Sequence, residues 1–174
     1  MTWKVLSSEF FAVLGAAVAL YALYIEWRKE MDEGYEALCD TASFSCTKVL
    51  MSEYGHILSK WGLVAQGSRL DVPNPVLGLG FYGLVLARGA LGLPRQLMLA
   101  AATGSFLFSL YLAGVLYWVL HDFCVVCVSS YVCNFAIFAI ELSAALDADG
   151  RGALSVGAAA SRGGGGPAGK VKGA

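Results

Sequence analysis

The chain has 174 residues, 57% of them hydrophobic and 14% charged, with a formal net charge of -1. Soluble domains carry about 25% charged residues, so an ordinary water-soluble globule is excluded. The near-neutral balance also excludes a surface that binds nucleic acid through excess basic charge.

The charges gather in 26–71, at 88–95, around 121–122 and after 146, and long apolar stretches separate them. That pattern predicts an all-α integral membrane protein: a four-helix bundle with a lumenal loop or cap containing short helices. A helix needs roughly 20 residues to cross the hydrocarbon core. The first span is expected at about 5–25 and contains FFAVLGAAVALYALYI. A cleaved signal peptide also begins with a short apolar segment behind a basic residue such as Lys4. Here the run from Phe10 to Ile25 is long for that purpose and no polar stretch precedes Glu26, so an uncleaved span is the better reading. A loop follows at 26–74. The second span, 75–93, carries Arg88, which is expected to snorkel outward. The third, 96–120, and the fourth, 123–146 with Glu141 near its end, are the clearest. Residues 1–148 thus form one membrane domain. Residues 149–174, with their GGGGPAG run, read as a disordered cytosolic tail. No internal repeat is evident.

Four spans put both termini on one side. That face collects Lys4, Arg88, Arg95, Arg151, Arg162, Lys170 and Lys172. The other mixes Arg28, Lys29, Lys48, Lys60 and Arg69 with Asp32, Glu33, Glu36, Asp40, Glu53 and Asp71. The positive-inside rule assigns the first face to the cytosol. The 26–74 loop and the start of the fourth span are then lumenal. The final KVKGA fits a cytosolic dilysine retrieval pattern, though ordinary cytosolic lysines read the same way. Endoplasmic-reticulum membrane is the expected location.

The five cysteines are Cys39, Cys46, Cys124, Cys127 and Cys133. The first four fall on the predicted lumenal side or its boundary, a compartment that permits disulfides. Cys124 and Cys127 form CVVC where the fourth span begins. Unpaired N–H groups and the positive dipole end stabilise a thiolate there. Cys124, Cys127, Tyr131 and Asn134 share one helical face. It offers a dithiol, a phenol and an amide beside hydrocarbon, which suits a lipophilic carbonyl compound such as a quinone. A second dithiol, Cys39 and Cys46, provides a route to an electron donor by thiolate exchange. The loop is too long for a simple connector and is placed to cap the pocket.

Other readings stand beside these. Cys124–Cys127 also reads as a static disulfide, Cys39–Cys46 as a structural staple, and the four together as a zinc site, although their spacing is unlike the usual paired C-x-x-C ribbon. Asn134 reads better as interhelical glue than as a substrate contact. Cys133 reads as a packing residue. No metal site is expected.

The residues then match a known pattern. ALCD at 37–40, SCTKVL at 45–50, VPNPVLGLGFYG at 72–83, SLYLAGVLYWVLHDFCVVC at 109–127 and SSYVCN at 129–134 together resemble the vitamin K epoxide reductase family, over roughly residues 8–145. The resemblance implies that Cys127 attacks the quinone or epoxide and that Cys124 resolves the adduct. It implies that Cys46 forms a transient bond to Cys124, and that Cys39 accepts the disulfide from Cys46. It implies that Asn74 and Tyr131 hydrogen-bond the two quinone oxygens, with Phe81, Tyr82, Leu112 and Leu120 lining or supporting the pocket. The substrate is then a vitamin K-type quinone or its epoxide, with no tightly bound cofactor. The thiol partner is a lumenal thioredoxin-fold protein. The chain departs from the family at three points. Six residues separate Cys39 and Cys46 where vertebrate members have seven. Leucine and tyrosine replace aromatic residues near 50–54, and no thioredoxin domain is fused.

Three rival functions come from other classes. One is a quinone-dependent enzyme that makes disulfides for protein folding without epoxide activity. The second is a non-enzymatic membrane scaffold stapled by disulfides. The third, a small transporter, is disfavoured because the sequence shows no intramembrane ion pair and no broken helices in repeated halves.

Overall fold

Four long helices and a loop of short ones make up the computed structural model, which describes residues 3–41 and 44–163, with side chains to residue 148. In chain order they are α1 (Trp3–Met31), α2 (Cys46–Leu50), a 3-10 turn (Glu53–Gly55), α3 (Ile57–Lys60), α4 (Asn74–Leu91), α5 (Arg95–Gly114) with a π-helical continuation (Val115–Leu120), and α6 (Val125–Gly163). There is no strand among the described residues. Three helices, Trp3–Met31, Arg95–Leu120 and Val125–Ala148, are long and apolar enough to cross a membrane. Large apolar side chains cover their outer faces, including Phe10 and Leu20 on α1, Leu107 and Leu110 on α5, and Phe135 on α6. Hydrocarbon, not water, is the solvent that tolerates such a surface. The chain is an all-α membrane bundle.

α1 packs against both α4 and α6, and α5 against α6. Of the buried positions of α1, Ser8, Ala12, Gly15, Ala19, Ala22 and Glu26 recur in steps of four and three residues, and Ile25 lies beside the last of them. That seam keeps one stripe facing its neighbours, and its small side chains let the backbones approach closely, as membrane helices require. Gly15 is the tightest point. A Cβ there would stand 2.7 Å from the Tyr82 hydroxyl and closer still to the ring carbons. Gly15→Ala is therefore expected to push Tyr82 off its seat and cost about 1–3 kcal/mol. Thermal unfolding in detergent measures this, and an unchanged midpoint would mean the ring has room to move.

Two expectations change here. Arg88 does not snorkel. It donates to Glu141, which also accepts from Ser8 Oγ at 2.8 Å, and both charged side chains are largely buried. α4 is eighteen residues long, about 27 Å at 1.5 Å per residue, so pairing Arg88 inside the bundle removes the charge that its short length would otherwise leave against lipid. The intramembrane ion pair whose absence counted against a transporter is thus present. It joins α4 to α6, with α1 contributing Ser8, and so ties three helices at one level. The second change concerns the tail. α6 continues to Gly163, so part of the segment expected to be disordered from 149 is helical. Residues 164–174, with most of the glycine run and KVKGA, lie outside the described residues.

Candidate active site

The loop is fastened to the bundle beside the start of α6. Ser45 caps α2, its Oγ accepting from Lys48 N at 3.3 Å. The Ser45 N–H donates to the Phe123 carbonyl at 3.2 Å, and Lys48 Nζ pairs with Asp122 at 2.9 Å. These contacts bring Cys46, the first residue of α2, into one buried cluster with Cys124. Ala22, Ile25, Ala37, Val49, Leu50, Leu116 and Val126 complete it, and Cys39 and Cys127 pack against its edge. Cys39 is bonded to Cys46, and Cys124 to Cys127, with Cα separations of 6.0 and 5.2 Å. Cys133 is a free, buried cysteine in the other core cluster, packed among Tyr82, Ala102 and Ile137.

Asp40 organises the turn that carries Cys39. Its carboxylate accepts from the N–H groups of Ala37 at 2.9 Å and Thr47 at 3.0 Å, and from the Thr47 hydroxyl. Partial burial works against the charge, but the hydrogen bonds from Thr47, Ala37 and Cys46 outweigh it and hold the carboxyl below its usual range. Asp40→Ala is expected to loosen the turn and speed reduction of Cys39–Cys46 by dithiothreitol several-fold, read by thiol trapping. Because the folded-state pKa is depressed, Asp40's support is fully present above the ordinary value of 3.8 and is lost as pH falls through the lower folded value. Thermal unfolding midpoints of variant and wild type should converge at that acid end, where dithiothreitol has no thiolate with which to report. A variant that tracks wild type at neutral pH would show that the turn does not depend on Asp40.

At the α6 start, Cys124 immediately precedes the helix and its carbonyl accepts from Val128 N at 3.0 Å. The Cys127 N–H points at Cys124 Sγ, 3.1 Å away. That donor stabilises negative charge on Cys124 sulfur once the pair is reduced.

A cavity of about 440 Å³ lies between the bundle and the loop. Asn74, Phe81, Tyr82, Leu112, Leu120, Cys127, Tyr131 and Asn134 all border it. Cys124 does not. It is fully buried behind the wall, one step removed from the face it was expected to share. Asn74 is committed on both sides of its amide: Nδ2 donates to the Tyr54 carbonyl at 2.6 Å and Oδ1 accepts from Ile57 N at 3.2 Å. It therefore pins the loop over the cavity and keeps one N–H for a ligand. Asn134 donates to Ser109 Oγ at 2.9 Å, the interhelical contact anticipated for it. The π-helical segment contributes Val115, Leu116 and Leu120 to the wall, a common use of such turns at functional sites.

The roof comes from residues to which the sequence assigned no role in the site. Leu50, Tyr54, Ile57, Leu58 and Trp61 all face the cavity. Their spacing, in steps of four, three, one and three, is the signature of a helical apolar face, hidden because the loop helices are too short to stand out. Trp61 further packs edge-on against Phe108 and Tyr111 of α5, its indole N–H 3.3 Å from the Tyr111 hydroxyl. Gly55 permits the fold of the roof, since any Cβ there would collide with the Leu50 carbonyl.

The sequence matches known proteins over most of its length. The vitamin K epoxide reductase family matches residues 9–142. Vitamin K epoxide reductase complex subunit 1 of Mus musculus and that of Rattus norvegicus are each 35% identical over 134 residues, covering 73% of this chain and 81% of the relative. With two cysteine pairs gathered at one end of a membrane bundle, beside an apolar cavity, the chain belongs to the vitamin K epoxide reductase family and is a membrane thiol oxidoreductase of that kind.

Proposed function

We propose that the chain reduces a vitamin K-type quinone, its epoxide, or both, using Cys124 and Cys127 as the electron-donating dithiol. One observation carries the reading: of the four paired cysteines, Cys127 alone borders the apolar cavity, which Asn74 and Tyr131 also line. The Cys127 thiolate adds to a ring carbon of the quinone. Cys124 then attacks Cys127 sulfur, the carbon–sulfur electron pair returns to the ring, and hydroquinone leaves with the two protons of the dithiol. With the epoxide, the thiolate opens the carbon–oxygen bond. The same resolving attack then expels the oxygen as water and leaves the quinone. The remaining N–H of Asn74 and the Tyr131 hydroxyl bind the carbonyl oxygens where charge builds, and positioned donors in a dry site contribute a few kcal/mol.

Electrons return through the loop. Cys46, buried beside Cys124, attacks the spent Cys124–Cys127 disulfide. Cys39 then closes on Cys46, and a thioredoxin-fold partner reduces that bond. No tightly bound cofactor is needed. All four long helices span, α4 included, with the loop lumenal, both termini cytosolic and the endoplasmic reticulum as the membrane. The test is direct: the purified protein receives vitamin K epoxide or quinone with dithiothreitol, and consumption of each is followed. Turnover of neither would end this reading. Quinone turnover without epoxide turnover would favour the disulfide-forming alternative.

A further inference from the structure

Leu38 is the most exposed large apolar side chain among the described residues, 91% open. It lies outside the membrane-crossing helices, directly before Cys39. The turn is closed at its base, where Asp40 N donates to the Ala37 carbonyl and Ala37 N to the Asp40 carboxylate, both at 2.9 Å. Leu38 and Cys39 therefore form its tip. Glu36 and Asp40 flank the tip. A polar groove of about 610 Å³, bordered by Lys29, Tyr35, Lys48 and these acids, runs beside it. Such surroundings place the tip in water, where a bare leucine has no solvation advantage. A single exposed leucine is unremarked on most surfaces; this one adjoins the only bond in the loop that a second protein must reach. Within that bond Cys46 is fully buried and Cys39 is partly open, so an incoming thiolate meets Cys39 sulfur.

We propose that the Leu38–Cys39 tip is the docking site for a thioredoxin-fold dithiol protein, with Leu38 as the apolar anchor seated beside that protein's own cysteine pair. The proposal rests on the functional reading above and deepens it by assigning the surface through which electrons enter. The partner's thiolate attacks Cys39 sulfur, the Cys39–Cys46 bond breaks, and Cys46 leaves as a thiolate. The partner's second thiolate then attacks its own bonded sulfur and releases Cys39. Two electrons pass from the partner, which ends as a disulfide, to the loop, which ends as a dithiol. An apolar anchor at the centre of a small interface governs how long the encounter lasts, whereas a small-molecule dithiol needs none.

The full-length protein in detergent provides the test, with reduced thioredoxin and dithiothreitol as the two probes. The readout is the rate at which each opens Cys39–Cys46, followed by acid quench and thiol trapping. Leu38→Asp is expected to slow thioredoxin by about tenfold or more while changing the dithiothreitol rate by less than about twofold. Leu38→Met should keep most of the thioredoxin rate. An unchanged thioredoxin rate in Leu38→Asp would overturn the proposal. So would an equal slowing with both reductants, which marks Leu38 as a support of the turn or as a residue seated in lipid, and so would a wild-type loop that thioredoxin fails to reduce. No quinone enters this assay. A wild-type protein that lacks quinone and epoxide turnover sinks the functional reading but leaves this measurement interpretable.

Discussion

Cys127→Ala is expected to lower quinone or epoxide turnover by about a thousandfold or more, as loss of a nucleophile does in other enzymes that form covalent intermediates. The expectation follows from position. Cys127 borders the cavity, while Cys124 lies fully buried behind it with the Cys127 N–H directed at its sulfur. Only one of the two sulfurs can meet a ring carbon without rearrangement. The other is placed to attack its neighbour and to carry charge while doing so. Cys124→Ala should therefore fail differently. Attack still occurs, resolution does not, and the substrate stays on Cys127 as a thioether. Intact mass measurement after exposure to substrate would show one added molecule in Cys124→Ala and none in Cys127→Ala. Dithiothreitol-driven turnover in Cys127→Ala would defeat the assignment of roles.

Glu141→Leu is expected to be the most destabilising single change in the bundle. Glu141 accepts from Arg88 and from Ser8 Oγ, and its side chain is 4% exposed. Its removal leaves the Arg88 guanidinium uncompensated between helices. Breaking a buried pair from one side costs about 3–5 kcal/mol. For a chain of this size that lowers the unfolding midpoint by roughly 10 °C. Replacing both partners, Arg88→Leu with Glu141→Leu, should recover most of the loss, because two apolar side chains there ask nothing of their surroundings. Thermal unfolding of the two single variants and the double variant in one detergent forms a complete cycle. Equal midpoints in wild type and Glu141→Leu would show that Arg88 finds another outlet and that the pair does not hold the helices together. The two effects are separable, since the ion pair borders neither the cavity nor the cysteine cluster.

The long helices were legible from the chain because each is an unbroken run of apolar residues, and in hydrocarbon a backbone must satisfy its own hydrogen bonds. The C-x-x-C pair at the head of the last helix was legible for a similar reason: local spacing alone puts Cys127, Tyr131 and Asn134 on one face. The roof was not. Leu50, Tyr54, Ile57, Leu58 and Trp61 have a helical rhythm, but they sit on single turns interrupted by a 3-10 segment and by Gly55. Their order depends on Asn74, twenty residues from Tyr54, holding them down.

Local chemistry thus determined the class of protein, the C-x-x-C pair at the head of the last helix and one face of the pocket wall. Periodicity and motif order act over distances that a single helix spans. Which sulfur meets the cavity, how Cys46 comes to rest beside Cys124, and whether Arg88 faces lipid or Glu141 were decided only by tertiary contacts. Each of these depends on groups far apart in sequence: Ser45 with Phe123, Lys48 with Asp122, Ser8 and Arg88 with Glu141. In a low-dielectric interior, polar groups must find partners wherever the packing puts them. That search is settled by the assembled bundle and leaves little trace in local pattern.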